Sequence, residues 1–386
     1  MSAAVPLTPS PRNIRIANAI FFFISGFGYS AWASRIPSIK HNLHLNEAQL
    51  GAILFALPVG LILTMPLTNY LLSRYTSKAI MLVGAIAFNI MLCFVGFASA
   101  PWQLVIVLVG FGSSRNLFNL STNAQAVSVQ RLYSKSIITT FHGIWSMAGF
   151  AGAALGYIMV SFNVATNWHL PAVGLSMTLL SLFAYSNTLY EPVVKQTEKK
   201  PIFSLPDKFL IKFSVIAFVS MACENTMYDW SGIYFEKAVH ASRSTATAAF
   251  VFYMIAMTSG RFIGDKLVNR IGIKRILFYS GIFITLGLFT AVLLPYTITG
   301  FIGFMFTGLG VSCIVPLIYS LAGRVKSMSS ARALASISTI SYLGFLMVPP
   351  LVGFIAEATN IRVSFAVIGL MGGIVIWMVS KINEED

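Results

Sequence analysis

Charged and amide side chains are scarce in this chain, and where they gather they lie inside apolar runs. The densest group is Arg115-Asn116-Leu117-Phe118-Asn119-Leu120-Ser121-Thr122-Asn123-Ala124-Gln125. At about 100° per helical residue, Arg115, Asn116, Asn119, Thr122 and Asn123 share one arc of roughly 120°, and Leu117 and Leu120 point elsewhere. A guanidinium above a ladder of amides can bind a polar solute through several directed hydrogen bonds. A second group is Glu224, Asn225, Tyr228 and Asp229. Glu224 lies about fourteen residues into its run, a depth that suits either reversible protonation or a permanent pair with a cation such as Arg115. Asp229 lies nearer the end of that run and reads as structural. His142 shares a face with Ser146 and Gly149, and Trp145, Trp32, Tyr29 and Tyr342 offer aromatic faces for stacking. There is no CxxC, HExxH or GxxxxGK[ST] pattern and no nucleophile–base set. Enzymatic chemistry, a metal, a cofactor and an ATP-driven engine are therefore not expected. Cys93, Cys223 and Cys313 stand apart in apolar runs and read as small buried hydrophobes.

The elements that must hold these groups follow from composition. Of 386 residues, 56% are hydrophobic and only 10% charged, against about 25% charged in a soluble domain. With 31 Phe and 14 Tyr the chain is not disordered either. Apolar runs fall at about 14–34, 47–72, 79–99, 102–127, 136–161 and 169–189, then at 210–236, 245–268, 274–295, 297–323, 331–357 and 361–382. They are too long for barrel strands and do not alternate with period two. They predict an all-α membrane protein of twelve transmembrane helices. Arg12 and Arg15 before a run ending in Ala31-Trp32-Ala33 resemble a cleavable signal peptide. The run is long for that, and its end has a counterpart near Trp230, so a retained span is expected. With the N-terminus inside, roughly 19 of the 26 basic residues fall in inner segments and 5 in outer ones. That bias predicts both termini in the cytoplasm. It also accounts for the net charge of +14 without a nucleic-acid partner.

The stretch from Glu191 to Lys212, rich in prolines and charges, is the one long connection. It predicts an N-terminal six-helix bundle over 1–190, a cytoplasmic linker over 191–209 and a C-terminal six-helix bundle over 210–386. The halves look like repeats at an offset of about 197 residues. Gly110-Phe-Gly-Ser-Ser matches Gly308-Leu-Gly-Val-Ser, and Trp32-Ala-Ser matches Trp230-Ser-Gly. Arg74-Tyr-Thr-Ser-Lys78 matches Arg270-Ile-Gly-Ile-Lys274, and Ala154-Leu-Gly-Tyr-Ile matches Leu351-Val-Gly-Phe-Ile. Six spans per half keep the two repeats parallel across an axis along the membrane normal.

The segment Gly260-Arg261-Phe-Ile-Gly264-Asp265-Lys-Leu-Val-Asn269-Arg270-Ile-Gly272-Ile-Lys274-Arg275 resembles the loop signature of the Major Facilitator Superfamily, with Asn269 at the aspartate position. A more degraded copy runs from Asn69 to Lys78. Ala31-Trp32-Ala33-Ser34-Arg35-Ile36-Pro37, Phe141-His142-Gly143-Ile144-Trp145-Ser146 and Glu224 with Asp229-Trp230 resemble a branch of poorly characterised bacterial permeases related to sugar permeases. The resemblance implies alternating access to a midplane cavity lined by spans one, four, seven and ten with parts of five and eleven. It implies substrate contacts from Arg115, Asn119, Asn123, Asn225, His142, Trp145 and Tyr342, with Glu224 coupling protons. Arg35, Arg261, Asp265, Asn269 and Arg270 take gating or latch roles, the Arg261–Asp265 spacing suiting a one-turn pair away from the substrate. The expected protein is a monomeric secondary transporter of the bacterial inner membrane, a proton-coupled symporter of a small, sugar-like solute. A proton-coupled exporter is the alternative, although span five has glycines and no Gly-Pro pair. A non-transporting sensor or scaffold is more distant, since short loops leave little surface for a partner.

Overall fold

The computed structural model describes residues 9–135, 137–192, 210–322 and 330–382, without the side chains of residues 265, 330–332, 334 and 335. All regular structure among the described residues is helical. The first half comprises α1 (Pro11–Ala33), α2 (Ile36–Asn42), α3 (Glu47–Leu54), α4 (Ala56–Arg74), α5 (Ser77–Phe97), α6 (Pro101–Gln130), α7 (Ile138–Ser161) and α8 (Thr166–Tyr185). The second comprises α9 (Ile211–Lys237), α10 (Arg243–Ile271), α11 (Ile273–Leu293), α12 (Thr297–Ser312), α13 (Ile314–Ala322), α14 (Ser330–Ala358) and α15 (Ile361–Ser380).

Local chemistry sets the boundaries. Ser10, Asn46, Thr76, Ser242 and Asn360 each cap a helix by accepting an orphan N–H of its first turn. Gly272 separates α10 from α11 at φ 83°, a left-handed geometry that strains any residue with a Cβ. Two apolar runs are each broken in two, and proline explains both breaks. Pro58 cannot donate to the Leu54 carbonyl, and α3 ends at Leu54; Pro316 cannot donate to the Ser312 carbonyl, and α12 ends at Ser312. Pro349 and Pro350 lie within α14, which runs through both without interruption.

Eleven segments among the described residues are long and apolar enough to cross a membrane, the α3–α4 and α12–α13 pairs each counting as one. The remaining long helix, α9, has 27 residues. It carries Glu224, Asp229 and Glu236, which lower its hydropathy.

Within the first half α1 packs on α7 and α8, α5 on α6 and α8, and α4 on α6. Within the second, α14, α10 and α15 surround α9, and α11 lies between α12 and α15. The halves meet chiefly where α7 packs on α10 and where α3 packs on α14, while α4 barely touches α14. Since α3 lies at the end remote from the chain termini, the α3–α14 side closes there, and among the described residues α4 and α14 stand apart toward the termini, leaving a cleft. The closed end is main chain against main chain. A Cβ on Gly51 would stand 2.6 Å from the Pro349 carbonyl oxygen, and one on Gly353 would stand 3.0 Å from the Gly51 Cα.

Candidate functional site

Arg115 sits mid-way along the 30-residue α6 and is half-buried. Its guanidinium lies 3.8 Å from the Tyr29 ring centroid on α1 and 5.4 Å from that of Phe345 on α14, in the other half. It makes no ion pair or hydrogen bond with any described residue. Two turns on, Asn123 donates its amide back to Asn119 Oδ1 at 2.9 Å and to the Asn119 carbonyl at 2.8 Å. Asn119 is exposed although it lies mid-helix on the same face as Arg115, so it looks into the cleft. The polar arc is narrower than the sequence suggests. Asn116 is buried and donates to Thr68 Oγ1 on α4 at 3.0 Å, and Thr122 donates to the Phe118 carbonyl at 2.7 Å. Both serve packing within the first half, leaving Arg115, Asn119 and Asn123 toward the cleft.

Opposite them, Glu224 Oε1 lies 3.7 Å from Arg261 Nη2, with the two side chains 17% and 22% exposed. Of the cations that could pair with Glu224, the one in place is Arg261. Its position explains this: Arg261 stands nearly three turns inside α10 at 3.6 residues per turn, well away from the loop that suggested a latch. Arg261 also donates to Ser146 Oγ at 2.7 Å and to the Ser312 carbonyl at 3.4 Å, and lies 5.7 Å from the Trp145 ring. Thr258 donates to the Ser146 carbonyl at 3.2 Å, so two bonds from α10 converge on one serine of α7. The Ser312 carbonyl is the one Pro316 leaves free, and the helix break supplies an acceptor for Arg261.

The other expected residues divide. His142 is exposed, with its ring edge-on to Phe22 at 5.3 Å. Trp145 is half-buried beneath Arg261, and Tyr342 is half-buried one turn from Phe345 on the same helix face. Asn225 is turned away from the cleft: it is buried and donates to Asp229 Oδ2 at 3.1 Å. Arg35, 3% exposed, donates to His169 Nδ1 at 2.9 Å and to the Val164 carbonyl at 2.8 Å, all within the first half, so these bonds hold no gate between halves. Asn269 and Arg270 are exposed at the termini end and make no bond to any described residue. The Asp265 side chain lies outside the described residues.

Sequence reasoning missed Thr258 and the charged contacts of the closed end, and named Tyr29 and Tyr228 without their packing. Thr258 is three residues before Arg261 and could have been found by helical spacing. Tyr228 joins Tyr29 at 5.2 Å and Phe250 at 5.0 Å, forming an aromatic wall behind Arg115. At the closed end, Glu47 Oε1 takes Lys40 at 3.1 Å and, across the halves, Lys237 at 3.3 Å. The Glu47 N–H donates to Glu357 Oε2 at 3.1 Å, and Arg243 reaches His41 Nε2 at 2.8 Å.

The family model of the Major Facilitator Superfamily matches residues 19–326 and again 213–385. The chain belongs to the Major Facilitator Superfamily. An uncharacterised MFS-type transporter of Yersinia pestis is 30% identical over 357 residues, 92% of each chain. The membrane protein MosC of Rhizobium meliloti is 27% identical over 379 residues, 96% of this chain and 90% of that one. The crystal structure of the nucleoside transporter NupG superposes with a TM-score of 0.75 at 15% identity, covering 96% of this chain and all of that one. At that identity the likeness is one of fold. The protein is therefore a multi-pass membrane protein and a secondary transporter of small molecules, not an enzyme.

Proposed function

We propose that the protein is a proton-coupled symporter of a small, sugar-like solute, with Arg115, Asn119 and Asn123 holding the solute and Glu224 carrying the proton. The halves 1–190 and 210–386, joined by 191–209, rock about the central cluster. The chain acts as a monomer in the bacterial inner membrane with both termini in the cytoplasm, so the cleft described above opens inward. The observation that carries this reading is Arg261. It pairs with Glu224 in its own half and donates to Ser146 in the other. A proton on Glu224 removes the charge that holds Arg261, and the central bond between the halves changes with it. Solute bound at Arg115 and proton bound at Glu224 then bias one equilibrium together.

Uptake into proteoliposomes across an imposed pH gradient tests this. Glu224→Gln should abolish gradient-driven accumulation while still exchanging labelled solute across the bilayer. Unchanged pH dependence in that variant would sink the proton role. Accumulation only when the gradient is reversed would support the exporter alternative.

A further inference from the structure

The charged groups at the centre are few. Arg115 stands on α6, Arg261 on α10, and Glu224 and Asp229 on α9, with His142 of α7 nearby in the cleft. Both acids are engaged elsewhere, Glu224 by Arg261 at 3.7 Å and Asp229 by the Asn225 amide at 3.1 Å. Arg115 directly contacts only aromatic rings among the described residues, and Asp229 and Glu224 act on it through space without an ion pair or hydrogen bond. A ring beneath a guanidinium occupies its face and leaves its in-plane N–H groups unused. A half-buried cation in a membrane span with no anion in direct contact is costly. The ligand that best relieves it is a carboxylate, which can take two parallel N–H groups at once. One turn along, at about 6 Å by the helical rise, Asn119 faces the cleft. Its Oδ1 is taken by Asn123, which leaves the Asn119 amide N–H groups to donate.

We propose, resting on the symport reading above, that the solute is a polyhydroxy monocarboxylate of the sugar-acid class, its carboxylate held by Arg115 and its hydroxyls by Asn119 and Asn123. Charge balance points the same way. With His142 neutral, the two arginines and two acids sum to zero; one proton on Glu224 leaves one positive charge, which a monoanion cancels. Proton and solute thus enter a low-dielectric site as a neutral pair. A neutral sugar would leave that charge unmatched, and a dianion would overshoot it.

Thermal shifts of the purified full-length protein with sodium gluconate or sodium glucuronate, against glucose, galactose and a sodium chloride control, test the class. A saturable rise in Tm is expected with an acid and none with the neutral sugars. Arg115→Gln should lose the rise, and Arg115→Lys should keep part of it. Asn119→Ala, which leaves the cation in place, should weaken acid binding about tenfold, the loss of one hydrogen bond to the ligand. In proteoliposomes, uptake of the acid should follow the pH gradient and ignore an imposed membrane potential. No shift with either acid, or a shift with a neutral sugar that Arg115→Gln retains, overturns the class. Neutral-sugar uptake driven by the pH gradient would do so while leaving symport standing. Acid binding with uptake indifferent to pH would instead sink symport and leave the class intact.

Discussion

Ser146 carries two bonds that no other residue of its half duplicates, because its hydroxyl takes Arg261 and its carbonyl takes Thr258. Ser146→Ala removes the first and keeps the second. A hydrogen bond to a charged group contributes about 1.5–3 kcal/mol, so the variant should melt lower and take up solute more slowly, with protein level unchanged. A variant with wild-type Tm and uptake would show that Arg261 is held by Glu224 and the Ser312 carbonyl alone. Arg115 and Glu224 were legible in the sequence because hydrocarbon penalises such groups wherever they point. Ser146 was not, since a serine in a membrane helix satisfies itself on its own backbone at little cost. Which cation pairs with Glu224 stayed open for a related reason: Arg261 lies within a loop-like signature, and spacing along one chain does not reveal which helices face each other. Asn116 and Asn225 show the converse, amides that sequence grouped with the site and that the structure buries, each donating within its own half.

At the scale of elements, most spans could be read from apolar runs, while the breaks in spans two and ten emerge only in the structure, where Pro58 and Pro316 explain them. Proline alone does not mark a break, since Pro66, Pro171, Pro349 and Pro350 all lie inside helices that run on. The break at Pro316 makes a prediction. Pro316→Ala restores the N–H that the Ser312 carbonyl lacks, and the helix then competes with Arg261 for that oxygen. Thermal stability should hold or rise while uptake falls and its pH profile shifts. An unchanged pH profile would mean that the 3.4 Å contact has no part in placing Arg261. The α3–α14 crossing makes another. Gly51→Val forces apart two backbones that now touch, so the closed end should open. Cysteine pairs spanning α3 and α14 would then cross-link less readily and react faster with aqueous reagents.

Across the whole molecule, the two ends are built differently. The end remote from the termini is drawn together by Glu47 between Lys40 and Lys237. Glu47→Gln should weaken that closure, and spin-label distances across the closed end should lengthen in a larger fraction of molecules. Raised ionic strength should reproduce part of the effect in the wild type, since exposed charges such as Lys237 are readily screened. The all-helical membrane architecture was readable because long apolar runs leave a pattern along the sequence. The closure was not, as Glu47 and Lys237 are 190 positions apart and nothing in either neighbourhood names the other. The glycine seam beneath these charges has a further consequence. Main chain resting on main chain has no rotamers to freeze when it shuts and none to release when it parts. It behaves as a dry bearing, indifferent to salt and turned over at little entropic cost in every cycle. The pace of the machine is then governed at its centre, where charges shed and regain water, and not at the seam on which it swings.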